Sequence, residues 1–208
     1  MMATVVDTVI LHYFLLVEHA ELLLELLDPP AGVPRIVYDP DDGDGADAVV
    51  SELRRNIRYE QRIVRATKPH EPEHHHATER VRRLQVIDGL MGDALQVIDM
   101  TDAERIVFRR LTAEQPDREL GLILPLDPGE AACVAIALER GHVLATDDAD
   151  ALRALHRVRP DHPYERIRRL LIRAGNDAVI TKKEANDIHR RMREMGFWDS
   201  IAPFPGEE

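Results

Sequence analysis

Short apolar runs that each end in an acidic residue alternate with helix-forming stretches, and this alternation narrows the possible folds more than any other feature. The run ATVV at residues 3–6 has the composition of a buried strand and ends at Asp7. The run HVLAT at residues 142–146 has the same character and ends at Asp147. Strands that alternate with helices predict an α/β domain with a mainly parallel central sheet.

Further strands and helices complete the predicted pattern. Two more strands are predicted at residues 35–38 and 95–98. Helices are predicted at residues 9–27 (as one helix or two), 48–66, 78–90, 101–111 and 127–141. Helices at residues 164–174 and 182–195 follow. We therefore expect one domain at residues 1–156 and a helical C-terminal extension at residues 157–208.

Composition limits the classes of function. The 208 residues include 38 Asp and Glu against 27 Lys and Arg, for a net charge of −11. This balance argues against a protein that coats nucleic acid through bulk positive charge, although a bound cation can reverse the field of an acidic site. The single cysteine, Cys133, lies in an apolar run and is expected to be buried. With no bilayer-length apolar segment, the expected location is cytoplasmic.

Acidic side chains from four segments are expected to meet at one edge of the sheet. In a parallel α/β sheet, the carboxyl ends of the strands and the starts of the following helices share an edge, where ligands bind. The acidic residues placed there are Asp7, Glu52, Glu130, Asp147, Asp148 and Asp150. Uncompensated carboxylates repel one another, and all-oxygen ligands suit Mg²⁺ or Mn²⁺. The spacing therefore predicts a divalent-cation site.

Each of these acidic residues also has a structural explanation. Asp7 and Asp148 could act as helix N-caps, and Glu130 could form half of a capping box with Asp127. Asp39 and Glu60 compete with Glu52 for the second acidic position. One or two of the three closing aspartates are expected to be structural. The convergence of all the segments on one edge favours the functional interpretation.

The motifs resemble those of the PIN-domain nuclease family. The segment VVDTVIL at residues 5–11 resembles the opening strand of that family, and GEAA at residues 129–132 with VLATDD at residues 143–148 resembles its closing half. The resemblance covers residues 1–156. The tail from LIRAG at residues 171–175 to residue 197 resembles the C-terminal extension of one uncharacterised PIN-like branch.

This resemblance implies a three-layer α/β/α fold and a ribonuclease that cleaves single-stranded RNA with Mg²⁺ or Mn²⁺. The residues that match its core acidic positions are Asp7, Glu130 and Asp148, with Asp150 accessory, Asp147 as a substitute for Asp148, and Thr8 and Thr146 to position a water or ligand. Many relatives are dimeric toxins silenced by a small antitoxin, so a homodimer and an antitoxin partner are expected. The loop at residues 39–47 and the insertion at residues 68–76 depart from the family pattern.

Three other features have two interpretations each. The histidines at positions 70 and 74–76 either bind zinc or lie on a solvated loop, which we favour. On the helix at residues 48–66, Arg54, Arg55 and Arg58 either hold RNA phosphates or form a solvated face. The aromatic tail from Phe197 to Phe204 either docks a partner or folds back on the domain, which we favour.

Two other classes of protein are alternatives to the nuclease. A catalytically silent regulatory module that keeps the same fold is the main alternative. A phosphatase of the haloacid dehalogenase type is disfavoured because Val9 stands where that chemistry needs an acid two residues after Asp7.

Overall fold

The computed structural model describes residues 3–27, 30–39, 51–92, 94–115, 118–120 and 122–207. The strands are β1 (Thr4–Val6), β2 (Ala31–Pro34), β3 (Leu95–Ile98), β4 (Val143–Ala145) and β5 (Tyr164–Glu165). The helices are α1 (Thr8–Leu16), α2 (Ala20–Leu26), α3 (Glu52–Ala66), α4 (Pro72–Leu84), α5 (Ile87–Leu90), α6 (Asp102–Leu111), α7 (Pro128–Arg140), α8 (Ala149–Val158), α9 (Ile167–Asn176) and α10 (Lys182–Glu194). A short 3-10 turn spans Arg118–Leu120.

The strands form one five-stranded sheet in the order β3-β2-β1-β4-β5, and every strand pair is parallel. In the centre, Val5 of β1 lies between Gly32 of β2 and Leu144 of β4. Helix α7 packs against β1, β2 and β4. The prediction of an α/β fold with a parallel central sheet is confirmed, and the arrangement is compatible with three α/β/α layers.

The apolar runs of the sequence form the core around this sheet. Val5 and Val6 of β1 are fully buried, as is nearly the whole apolar side of α7 from Ala131 to Leu138. The buried position explains why these segments are apolar almost without interruption. Cys133 is buried among them, as predicted, and burial raises the pKa of its thiol well above the usual range. No helix in the described ranges is long and apolar enough to cross a membrane.

The predicted second strand at residues 35–38 was wrong, because β2 is the preceding segment, Ala31–Pro34. Gly32 and Pro34 made that segment an unpromising strand from composition alone. Glycine at position 32 leaves room for the side chain of Ile98 on the neighbouring β3, because a Cβ atom on residue 32 would clash with Cδ1 of Ile98. Val37 and Tyr38 instead form a turn whose side chains enter the core, which explains their apolar character.

The segment at residues 68–76 is also partly helical. Helix α4 begins at Pro72 rather than near residue 78, and proline is well suited to the first turn of a helix. His74, His75 and His76 therefore lie on a helix and not on the predicted solvated loop. The part of the predicted loop at residues 40–47, and the first part of the helix predicted from residue 48, lie outside the described residues.

The C-terminal extension contributes to the sheet. The helix predicted at residues 164–174 begins only at Ile167, because Tyr164–Glu165 pairs with β4 as the edge strand β5. The boundary predicted between residues 156 and 157 falls inside α8. The predicted helix at residues 182–195 is confirmed as α10, with the capping box between Thr181 and Glu184.

The aromatic tail folds back on the domain at two points. The ring of Phe197 lies 5.0 Å from that of Tyr13 on α1, and the Phe197 side chain is buried. The ring of Phe204 covers Gly175 of α9, where a Cβ atom would lie 2.5 Å from it. The amide of Asn186 on α10 holds the backbone of Phe204 in this position.

Candidate functional site

The order of the strands places the candidate site between β1 and β4. Strands β2 and β3 lie on one side of β1, and strands β4 and β5 lie on the other. Where the strand order reverses, the connections that follow the two adjacent strands run to opposite sides of the sheet. This divergence opens a crevice beyond the carboxyl ends of those two strands. Asp7 follows β1 at this crevice, and Thr146, Asp147 and Asp148 follow β4.

Asp7 is buried at the centre of the site, with 2% of the residue exposed. Its Oδ1 accepts a hydrogen bond from the amide of Thr8 (2.7 Å), and its Oδ2 accepts one from the hydroxyl of Thr146 (2.6 Å). Burial, with smaller contributions from the nearby Glu52 and Asp148 charges, raises the pKa of Asp7 to about 7, although these two hydrogen bonds lower it. Asp7 is thus the N-cap of α1 and also a carboxyl group whose pKa lies near neutral pH.

Glu52 occupies the first turn of α3 and faces Asp7 across Thr8. Its Oε2 accepts a hydrogen bond from the Thr8 hydroxyl (2.5 Å), and its Oε1 accepts one from the amide of Gly129 (2.8 Å). The contact with Gly129 is so close that a Cβ atom there would lie 2.2 Å from Oε2 of Glu52. A glycine at the start of α7 is therefore what allows this carboxylate to approach.

The two competitors for the second acidic position point elsewhere. Oε1 of Glu60 lies 3.0 Å from Nη1 of Arg80 on α4, and Oδ1 of Asp39 lies 2.8 Å from Nη1 of Arg35. Of the three candidates, Glu52 is the one that lies beside Asp7.

Glu130 stands on the first turn of α7 and serves two roles. It forms the capping box with Asp127, whose amide donates to Oε2 of Glu130 (3.3 Å). Burial raises the pKa of Glu130 to about 8, and the charges of Asp148, Asp7 and Asp127 contribute. The effect of Asp148 and Asp7 on this pKa shows that all three carboxylates share one electrostatic environment.

Asp148 closes the cluster on the β4 side. Its Oδ1 accepts a hydrogen bond from the amide of Ala151 (2.6 Å) and so caps α8. Its own amide donates to the hydroxyl of Thr146 (3.1 Å). Asp150, one residue into α8, is half exposed and forms an ion pair with Arg153. The structure therefore brings Asp148 to the site and leaves Asp150 on the outer surface of α8.

Asp147 is committed to a structural role. Its Oδ1 lies 2.9 Å from Nε of Arg166, and its Oδ2 accepts a hydrogen bond from the amide of Ile167 (2.8 Å). Both contacts belong to the start of α9, so this buried carboxylate attaches the C-terminal extension to the end of β4. The predicted role of Asp147 as a substitute ligand does not fit this geometry, because both of its oxygens are engaged, one by Arg166 and the other by Ile167.

A pocket of about 500 Å³ opens beside these acids. Its lining includes Asp7, Thr8, Glu52 and Glu130 together with Val9, His12, Tyr13, Arg55, Asn56, Asp127 and Pro128. His12, Tyr13 and Asn56 were not predicted as site residues from the sequence. Helical spacing could have found two of them, since His12 lies four residues after Thr8 and Asn56 four residues after Glu52.

His12 is the most unusual of these lining residues. Its Nδ1 is buried without a hydrogen-bond partner in the described part of the chain. Burial, with a smaller effect from Arg80, lowers the pKa of His12 to about 4. At neutral pH the imidazole is therefore uncharged, and it can donate or accept a hydrogen bond from within the pocket.

The three arginines predicted to contact RNA differ in position. Arg55 lines the pocket, with Nη2 3.8 Å from Oε1 of Glu52. Arg54 instead pairs with Asp88 (2.9 Å) and stacks over the ring of Tyr38. Within the described residues the pocket lining contains neither Arg54 nor Arg58. Arg55 is thus the arginine placed to meet a ligand of this site.

The donor chemistry of the site fits a hard divalent cation, since four carboxylates and two hydroxyls supply only oxygen. Within the described ranges, however, no three Asp, Glu, His or Cys side chains are grouped closely enough to hold a metal ion as they stand. The reason is visible in the hydrogen bonds, because Glu52 is held by Thr8 and Gly129, and Glu130 is turned back to Asp127. Over the same described ranges, the histidines of α4 do not form such a metal-binding group either. One of them, His74, contacts Thr67 instead.

Comparison of the chain with protein-family models, with curated proteins and with solved structures found no match. The resemblance to PIN-domain nucleases therefore depends on the motifs of the sequence.

Proposed function

We propose that this chain is a divalent-metal-dependent phosphodiesterase that cleaves single-stranded RNA at the crevice between β1 and β4. The observation that carries the proposal is the convergence of Asp7, Glu52, Glu130 and Asp148 on that crevice, where burial and mutual repulsion raise the pKa values of Asp7 and Glu130. A carboxylate cluster of this kind is electrostatically unfavourable until a cation compensates it. Strongly perturbed acids in a cleft are also typical of functional sites.

A bound Mg²⁺ or Mn²⁺ would lower the pKa of a water molecule and stabilise negative charge on a phosphodiester. The chain's own residues prepare the site for it. Asp7, Glu130 and Asp148 would hold the cation, and Glu130 could do so by releasing its 3.3 Å capping bond with the amide of Asp127. Thr146 and Thr8 orient the carboxylates of Asp7 and Glu52 through their hydroxyls.

The rest of the pocket supplies contacts for a nucleotide. Arg55 lies at the mouth, where its guanidinium can pair with a phosphate group. The neutral imidazole of His12 can hydrogen-bond a sugar hydroxyl or a base edge. Because most of these contacts are to phosphate and sugar groups, we expect the site to recognise an RNA strand without a strong preference for its sequence.

A catalytically silent binding module is the second candidate. It is favoured by the absence, over the described residues, of a preformed group of three metal-binding side chains.

The resemblance alone supports the finer proposal that the enzyme is the toxin of a toxin–antitoxin pair, with a small antitoxin and a homodimeric state.

The test is cleavage of a mixed single-stranded RNA by the purified protein with Mg²⁺, Mn²⁺ or EDTA. We expect cleavage only with metal, and loss of it in Asp7→Asn, which keeps the N-cap but removes the charge. Asp161→Asn, an exposed acid on the turn after α8, is the matched control and should cleave normally. Cleavage that persists in EDTA or in Asp7→Asn rejects the proposal, and a folded protein without any cleavage supports the silent module.

A further inference from the structure

Trp198 breaks the pattern of the aromatic tail. Phe197 beside it is 3% exposed, whereas Trp198 leaves 62% of its surface in solvent. An exposed indole in an ordered segment offers a flat aromatic face on which a ligand can stack.

Two separate chains of contacts connect Trp198 to the candidate site. On one side its ring lies 6.0 Å from Phe197, which packs 5.0 Å from the pocket-lining Tyr13. On the other side the guanidinium of Arg166 lies 5.4 Å from the centre of the indole and pairs with Asp147. Trp198 is thus connected both to the pocket wall and to the end of β4.

The contact with Arg166 fixes the orientation of the indole. Arg166 is itself held by the buried Asp147, through Nε–Oδ1 at 2.9 Å and Nη2 to the backbone carbonyl at 3.3 Å. A guanidinium that is fixed at one end and stacked at the other holds an aromatic ring in place. A ring held in this way loses little conformational freedom when a ligand stacks on it.

The surroundings of Trp198 carry charges of both signs. Burial lowers the pKa of His189, whose ring contacts Phe197; Asp199 opposes this effect, and Arg193 and Arg168 add to it. Arg166, which stacks over the indole, is a cation in direct contact with the exposed ring. Aromatic faces with neighbouring cations are how proteins bind single-stranded nucleic acids.

We infer that Trp198 is a stacking subsite for an unpaired nucleobase of the RNA strand that enters the candidate site. The inference rests on the proposed function, because the strand must run from Trp198 to Asp7. It also supplies a physical reason for single-stranded substrates, since the face of a base is available for stacking only where the strand is unpaired.

A protein partner is a weaker fit for this surface. In the described tail, the large apolar side chains that remain exposed are those of Trp198 and Ile201. Specific protein interfaces bury about 1,200–2,000 Å² in total, far more than two side chains provide. A single flat ring that stacks on Arg166 suits a base.

Trp198 is the only tryptophan of the chain, so intrinsic fluorescence reports on this site alone. We would titrate the Asp148→Asn protein, in Mg²⁺ and in EDTA, with a short single-stranded oligoribonucleotide and with its duplex. We expect saturable quenching by the single strand and at least tenfold weaker binding of the duplex.

The variants are compared by the fluorescence anisotropy of a labelled oligonucleotide, in which Trp198→Ala should weaken binding by about tenfold and Trp198→Phe by less. Ile123→Ala, at a side chain 79% exposed, should bind normally.

Absence of quenching, or equal affinity of Trp198→Ala and its parent, overturns the inference even if the wild-type protein cleaves RNA. Fluorescence that changes with protein concentration and not with RNA overturns it too and assigns the ring to self-association. Quenching by the single strand, together with the expected loss of affinity in Trp198→Ala, supports the inference even if the protein does not cleave RNA. In that case the proposed function fails while the stacking subsite stands.

Discussion

The hydroxyl of Thr146 donates a 2.6 Å hydrogen bond to Oδ2 of Asp7 and accepts one from the amide of Asp148 at 3.1 Å. One buried side chain therefore connects the ends of β1 and β4 across the point where the strand order reverses. It also stabilises the ionised form of Asp7, because a hydrogen bond to a carboxylate lowers its pKa.

Thr146→Val tests this contact. Loss of the donor raises the pKa of Asp7 further above its usual value, so a larger share of Asp7 is protonated near neutrality. We expect the acid limb of the pH profile of RNA cleavage to move upward by about one pH unit. Thr146→Ser keeps the hydroxyl and should keep the wild-type profile. An unchanged profile in Thr146→Val would show that Asp7 does not control the activity.

Asp147 and Asp148 are adjacent but should give opposite results when each is changed to Asn. Asp147→Asn disrupts the contacts with Arg166 and Ile167 and should lower the free energy of unfolding by about 2–4 kcal/mol. Asp148→Asn keeps an N-cap side chain, so its stability should change by less than about 1 kcal/mol while cleavage falls roughly 100-fold or more. Urea unfolding and cleavage assays on both variants separate the two roles. Full cleavage by Asp148→Asn contradicts the assignment.

Glu52 and Glu60 can be compared in the same way. Glu52→Gln removes a charge beside Asp7 and should lower cleavage by about 10- to 100-fold. Glu60→Gln removes a charge that pairs with Arg80 and should cost about 1 kcal/mol of stability without altering cleavage. Equal cleavage rates for the two variants would remove Glu52 from the site.

The raised pKa of Glu130 predicts a dependence of stability on pH. Because its pKa is about 8 in the folded chain and near 4.5 in the unfolded chain, the folded state binds the proton more tightly. The contribution of Glu130 to stability is therefore greatest below about pH 4.5 and declines as the pH rises to about 8. Glu130→Gln should be stabilising by about 1–2 kcal/mol at pH 8 in EDTA and nearly neutral at pH 4.5.

The control for that measurement is Glu139→Gln, at an exposed position near the end of the same helix. Its effect on urea unfolding should not differ between the two pH values. If Glu130→Gln behaves like this control, the carboxylates do not interact as the structure indicates.

Much of the fold was predictable because periodicity and capping are local. The strand at residues 95–98, the capping boxes at Thr101 and Thr181, and the helix that ends at Gly141 follow from adjacent residues. The strand β2 was missed because Gly32 is explained by Ile98, which lies 66 residues away and beside it only in the sheet. The edge strand β5 was missed because two residues give no period.

The site was predictable to a similar extent and for the same reason. Asp7, Glu130 and Asp148 stand at strand and helix ends that the sequence marks. The division of roles between Asp147 and Asp148 depends on where Arg166 docks, which is a tertiary contact. The choice of Glu52 over Glu60 depends likewise on Thr8 and Arg80.

In the proposed function, the carboxylates around Asp7 form one divalent-cation site. The most direct test is Mn²⁺ binding by titration calorimetry at pH 7, in two buffers that differ in ionisation enthalpy. We predict binding with release of protons, because Asp7 and Glu130 with pKa values of about 7 and 8 must deprotonate, and loss of that binding in Asp7→Asn. Absence of binding, or equal binding by Asp7→Asn, would contradict the claim.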